Sequence, residues 1–192
     1  MADRPPAALV QIGETATSLF DAAYASDWRT ATEMVQALNE SASALPALPK
    51  QDLVGQLQSL VQYVTQHVSG QQRVQTMDDA NGLTRVVADL SATFQTQVPY
   101  EVVMLGYYGR QLELGIAAQK PSTLTQAAAD LQSTWNRIEP TIERRGDIED
   151  ARRFSDTVAQ LIGARRPADF VSPTRAALTE AGRIEKLFRL PA

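Results

Sequence analysis

The chain has 192 residues, no cysteine and a formal net charge of −4. Absence of cysteine excludes disulfides, thiolate metal sites, iron–sulfur clusters and cysteine nucleophiles together. The apolar share is ordinary for a chain with a real core, which excludes disorder, and the negative balance opposes general nucleic-acid binding.

Taken in order, the apolar pattern predicts eight helices. Helix 1 starts at Pro5-Pro6, where the missing proline N–H is not needed, and runs to about Tyr24. Ser26 or Asp27 caps helix 2, from Trp28 to about Ala44, before Pro46 and Pro49 stop it. Helix 3 runs from Gln51 to about Val68 with Leu53, Leu57, Leu60, Val64 and His67 on one stripe, and helix 4 from Gln75 to about Thr96 with Leu83, Val87, Leu90 and Phe94 inward. Helix 5 spans Pro99 to Ala118, helix 6 Ser122 to Glu143, helix 7 Asp147 to Ala164 and helix 8 Ser172 to Phe188. Pro140 inside the sixth pattern predicts a kink or an early end. No stretch approaches the roughly 20 apolar residues of a membrane-spanning helix, and Met1 to Pro6 lead into no apolar signal core.

The second four helices read as a copy of the first. A shift of 93 residues holds without a gap from Pro6 to Leu45: the seam Leu9, Ile12, Ala16, Leu19, Ala23 falls on Val102, Leu105, Gly109, Leu112, Ile116. For the last two helices of each copy the shift becomes 97, pairing Leu57 with Phe154, Val61 with Val158, Val64 with Leu161 and Val74 with Val171, with the extra residues around Glu143 to Gly146. The expected fold is therefore all-α: two tandem four-helix up-and-down units related by internal duplication and closely packed, residues 1–97 and residues 98–192. A single core shared by the two repeats satisfies the same pattern. The halves differ in charge, net −5 for residues 1–97 and net +1 for residues 98–192.

The candidate sites are few. Tyr107, Tyr108 and Arg110 form the densest polar-aromatic cluster, and Gly109 on the apolar stripe of helix 5 opens room beside them for a neighbouring helix or a ligand. Trp135, on the seam of helix 6, completes the candidate ligand- or partner-binding set, although a large aromatic at that spacing is more often core. Trp28 begins the matching seam of helix 2. The only histidine, His67, has no metal-ligand spacing around it and no evident acid partner, so it reads as an end-of-helix residue. Arg144-Arg145, Arg152-Arg153 and Arg165-Arg166 are interleaved with Glu139, Glu143, Asp147, Glu149 and Asp150, the pattern of a solvated salt-bridge surface. Asp78-Asp79 and Glu149-Asp150 are placed to complement helix starts. No nucleophile elbow and no phosphate-binding glycine loop occurs, and nothing points to a catalytic residue, a metal or a cofactor.

The run Gly106-Tyr107-Tyr108-Gly109-Arg110-Gln111-Leu112-Glu113-Leu114, followed by Thr134-Trp135 and Ile138-Glu139-Pro140, resembles exported, periplasmic or lipoprotein-type helical-bundle proteins of proteobacteria with no assigned function, over about half of the chain. The duplicated design is also similar to imelysin-like proteins of bacterial iron uptake, but their Gly-x-His-x-x-Glu motif is missing and no functional residue carries over. The resemblance implies export, and a composition of only three lysines among many arginines agrees with it. The expectation is a non-enzymatic binding or scaffold protein, periplasmic or otherwise exported, that holds a partner protein or small ligand through its second repeat. The alternative is a cytoplasmic adaptor that presents the arginine-bearing helices to an acidic partner.

Overall fold

Helix-forming stretches with one apolar stripe each, separated by a few turn residues, leave little choice but antiparallel neighbours. The structure, a computed structural model, describes residues 4–145 and 148–189. Its helices are α1 (Ala7–Tyr24), α2 (Trp28–Ser43), α3 (Gln51–Ser69), α4 (Arg73–Ser91), α5 (Tyr100–Ala117), α6 (Pro121–Arg144), α7 (Ile148–Gly163) and α8 (Val171–Arg189), with a one-turn 3-10 segment at Pro167–Phe170. No strand occurs among the described residues, and none of their helices is long and apolar enough to cross a membrane.

The chain divides into two compact units, Met1–Thr96 and Gln97–Ala192. In the first, α1 packs on α2, α2 on α3, α3 on α4 and α4 back on α1, a closed ring of four. Its interior is built from Leu9, Ile12 and Leu19 of α1, Leu38 of α2, Leu57 and Val64 of α3, and Met77 and Leu83 of α4, all fully buried. Each such side chain contributes about 1.5–3 kcal/mol of transfer free energy, so the stripe and not helix propensity holds the ring. In the second unit the neighbours run α5–α6, α6–α7, α7–α8 and α8–α5. Leu105, Leu112, Leu131, Trp135, Ile142, Phe154, Leu161, Ile184 and Phe188 form its core.

The connections follow from local chemistry. Asp27 caps α2, accepting Thr30 N–H at 3.1 Å and the Thr30 hydroxyl at 2.7 Å, and the hydroxyl bond above all holds its carboxyl below the ordinary value. Before it, Ser26 takes a left-handed φ of 58°, and in the α5–α6 connection Gln119 takes 53°. Around them the backbone bonds Ala25→Asp21, Ser26→Ala23 and Asp27→Ala22 recur as Ala118→Leu114, Gln119→Ile116 and Lys120→Gly115, each 93 residues on. In the later helices, buried Met77, Ala80, Leu83, Thr84 and Val87 of α4 have buried Thr174, Ala177, Glu180, Ala181 and Ile184 of α8 97 residues further along. Val74 and Val171 do not match in this way, since Val74 is half-buried and Val171 exposed.

Two expectations are corrected and one element is added. Pro140 does not end α6, which continues to Arg144 because Ile138 and Ile142 on either side of it are held in the core. α4 stops at Ser91, five residues early, and Phe94 is only half-buried beyond it. The 3-10 segment before α8 was not expected, and it is fixed by Asp169 accepting Arg166 N–H at 2.9 Å and Phe170 entering the core. The expected start of helix 7 at Asp147 lies outside the described residues.

Gly109 and Gly115 set how closely α5 approaches its neighbours. A Cβ on Gly109 would lie 2.6 Å from Leu178 Cδ2 of α8, and one on Gly115 2.8 Å from Leu124 Cδ2 of α6. Gly109→Val is therefore expected to lower stability by about 1–3 kcal/mol through overpacking. Leu178→Ala in the same chain should recover part of that loss in urea unfolding; a Gly109→Val chain as stable as the parent would show that α8 yields freely.

Candidate functional site

The residues singled out from the sequence do not converge on one pocket. On α5, Tyr107 and Tyr108 are half-buried and meet edge to face with ring centroids 5.1 Å apart, and Gln111 Nε2 donates to the Tyr107 hydroxyl at 3.3 Å. Tyr108 packs against the core of the second unit. Arg110 is also half-buried, with its guanidinium beside Gly106, where an added Cβ would lie 3.4 Å from it. The room that Gly109 opens is taken by Leu178, so a helix and not a ligand fills it.

Trp135 sits apart from that surface. It is 2% exposed, its ring lies 4.5 Å from that of Phe154, and its indole N–H donates to Ser155 Oγ at 2.8 Å. Ser155 in turn donates to Glu139 at 2.5 Å. The hydroxyl satisfies a buried indole and is itself held by a carboxylate, so Trp135, Ser155 and Glu139 join α6 to α7. Trp28 is half-buried at the first position of α2.

The histidine has the acid partner that the sequence did not reveal. His67 Nδ1, in the last turn of α3, donates to Asp79 Oδ2 of α4 at 2.5 Å, with side chains 23% and 14% exposed. Burial raises the Asp79 carboxyl above its ordinary 3.8, while the hydrogen bond and charge of His67 pull it back and Asp78 pushes it further up. Asp78 and Asp79 are consequently not helix-start residues, since α4 begins at Arg73 and has no acid in its first turn. Glu149 and Asp150 do occupy the first turn of α7.

The arginine pairs form the expected salt bridges in part, and Asp147 lies outside the described residues. Arg153 pairs with Asp150, lies 3.6 Å from Glu180 and 3.8 Å from Glu149, and Arg166 pairs with Asp169 at 2.8 Å. The other four guanidinium groups have no carboxylate partner among the described residues. Arg144 bonds the Pro140 carbonyl and the Thr141 hydroxyl, Arg145 lies over the Phe188 ring at 4.1 Å, and Arg165 reaches the Ile162 carbonyl at 3.4 Å. Arg152 is exposed.

The most polar interior feature was not anticipated at all. Asp150 and Glu180 are each 8% exposed, and Arg153 and Arg183 cover them, with Arg183 Nη1 donating to Glu180 Oε1 at 2.9 Å. In the first unit the residues 97 positions earlier are Leu53, Gln56, Leu83 and Val86, of which Leu83 and Val86 are buried. A glutamate on the stripe Ala177, Ala181, Ile184 was the available signal.

The described residues contain no group of three or more side chains suited to hold a metal ion. A cleft of about 220 Å³ lies under the α2–α3 connection, against Leu45, Pro46, Leu48, Val54 and Leu57. Comparison with models of protein families, with curated proteins and with solved structures finds no match to this chain.

Two outcomes follow from the ionic contacts. The native Asp79 carboxyl takes up its proton at higher pH than the unfolded chain, so the native state binds more protons between its raised value and 3.8. Its contribution to stability therefore rises as pH falls through that window, opposite to a carboxylate whose pKa is lowered. Urea unfolding across pH should show the parent gaining on Asp79→Asn with acid, and a constant difference would contradict this. Glu180→Ala strips the partner from Arg183 and should cost about 2 kcal/mol, the half-exposed arginines limiting the loss. Glu180→Leu, which fills the site as Leu83 does in the first unit, should cost less; the reverse order would mean the charge itself is needed.

Proposed function

We propose that this chain is a non-enzymatic helical-bundle binding or scaffold module whose second unit holds an acidic partner protein. The observation that supports this reading is the set Arg144 at the end of α6, Arg145 after it, Arg152 on α7 and Arg165 after α7: Arg144, Arg145 and Arg165 meet carbonyls, a hydroxyl or a ring, Arg152 is exposed, and none meets a carboxylate among the described residues. Guanidinium groups left without a counter-charge supply planar donors for carboxylates of another protein. Among the ion pairs, His67 with Asp79 and Arg153 with Glu180 join helices to one another.

A protein partner fits better than a small ligand, because Leu178 fills the space beside Gly109 that a ligand at Tyr107, Tyr108 and Arg110 would need. Trp135 serves this reading only from behind, as part of the core on which Tyr108 rests. We also read the two units as copies of one ancestral bundle, of which the second has specialised. The recurrence of the Ser26 connection at Gln119 supports duplication, and the replacement of Leu53, Leu83 and Val86 by Asp150, Glu180 and Arg183 supports specialisation. The three-lysine composition favours an exported protein, which fractionation of the native cells would test.

The experiment is retention of proteins from native extract on the immobilised full chain at two ionic strengths. Charge contacts are screened beyond about 8 Å at physiological salt and about 3 Å at 1 M, so a partner bound as proposed is released by salt. Retention that survives 1 M salt, or native mass spectrometry showing a retained small molecule and no protein, would overturn the reading.

A further inference from the structure

The charges of the second unit are not spread evenly along its helices. One end of this bundle is formed by the C-terminal turns of α5 and α7, the N-terminal turns of α6 and α8, and the 3-10 segment, which touches α5, α6 and α8. Phe170 enters the core from that segment, so the segment closes the end like a cap. Lys120, Arg165 and Arg166 are exposed there, with Arg175 exposed one residue past the first turn of α8, and the acids at this level are Asp169 and the half-buried Glu113, one residue before the last turn of α5. Asp169 is committed to the cap: it accepts the Arg166 side chain at 2.8 Å and the backbone N–H groups of Arg166 and Arg165, and these bonds lower its carboxyl to about 2. Lys120, Arg165 and Arg175 are left with no carboxylate partner among the described residues. Beside them Ile162, in the last turn of α7, is 37% exposed and Val171, the first residue of α8, 42%.

At two of these places the first unit carries the opposite sign, while Arg165 and Arg166 stand 97 positions after Val68 and Ser69. Lys120 stands 93 positions after Asp27, and Arg175 stands 97 positions after Asp78; Ile162 takes the place of Thr65. A basic, partly apolar end is thus a property of the second unit and not of the bundle design.

We propose that the capped end of the second unit, with Lys120, Arg165 and Arg175 around Ile162 and Val171, is the docking surface for an acidic protein segment that carries apolar side chains. The inference rests on the partner-binding reading above and narrows it to this end, to which Arg165 belongs and Arg144 and Arg145, at the far end of α6, do not. Charge complementarity selects an acidic occupant. Ile162 and Val171 select a protein segment over a bare polyanion, because phosphates offer them nothing apolar to cover.

The test uses the full chain and a fluorescein-labelled synthetic peptide of alternating glutamate and leucine, read by anisotropy. The charge-reversed variant Arg165→Glu/Arg175→Glu is expected to bind on the order of ten-fold more weakly. Arg137→Glu, on exposed α6 surface away from this end, should bind as the parent does, and Val171→Ser should weaken the peptide with all charges retained. Both reversed positions are exposed, and far-UV circular dichroism checks that the variants are folded. Equal binding by the parent and Arg165→Glu/Arg175→Glu would overturn this location while leaving a partner elsewhere on the unit. No binding by the parent, together with salt-resistant retention in the extract experiment, would overturn the partner reading itself. Tighter binding to polyphosphate or to phosphatidylserine vesicles than to the peptide, or a salt-sensitive dimer lost in the same double variant, would replace the acidic segment by a phosphate, a membrane or a second copy.

Discussion

Each helix of this protein has one apolar stripe, and the stripe has no stable place except against the stripes of three others. With connections of a few residues, the helices of each unit alternate in direction and close into a ring in which every helix has two neighbours. The ring places particular demands on the chain. Ser26 and Gln119 accept left-handed backbone so that α2 and α6 can turn straight back, and Gly109 and Gly115 give up side chains so that α5 can lie close to α8 and α6. Pro140 is tolerated inside α6 for the same reason, since the core residues around it hold the helix that the missing hydrogen bond would weaken.

Where the stripe is interrupted, the second unit makes a different choice from the first. Glu180 and Asp150, which stand 97 positions after Leu83 and Leu53, are buried, and they are accommodated because Arg153 and Arg183 cover them. A buried carboxylate without that cover is costly, so the four residues act as a set. His67 and Asp79 do the same between α3 and α4, and Trp135, Ser155 and Glu139 between α6 and α7. Polar chemistry in the interior is thus spent on joining helices. Arginines that meet no carboxylate among the described residues lie outside this interior.

Much of this was legible from the residues alone. The helix positions followed from the 3.6-residue period, and residue type before Trp28 offered Ser26 or Asp27 as the cap, of which the structure uses Asp27. Within the candidate site, Gly109 was readable as a place of close approach, but not whether a ligand or Leu178 would take the room. The acid partner of His67 was invisible because Asp79 lies 12 residues away on the next helix, outside any helical spacing. The early end of α4 and the 3-10 cap were missed because both are decided by contacts at the bundle ends, where the apolar period says little.

The sequence by itself determined the helical class, the order of the helices and which face of each turns inward, because these depend on residue type at a fixed local period. Only the tertiary structure decided which charges meet: that Arg153 joins Asp150 to Glu180, that Asp169 holds Arg166, and that Arg144, Arg145, Arg152 and Arg165 meet no carboxylate among the described residues. Spacing along a helix states which side chains share a face, whereas an ion pair between helices depends on their rotation and vertical offset. Those are set by how the stripes interlock, and no single helix records them.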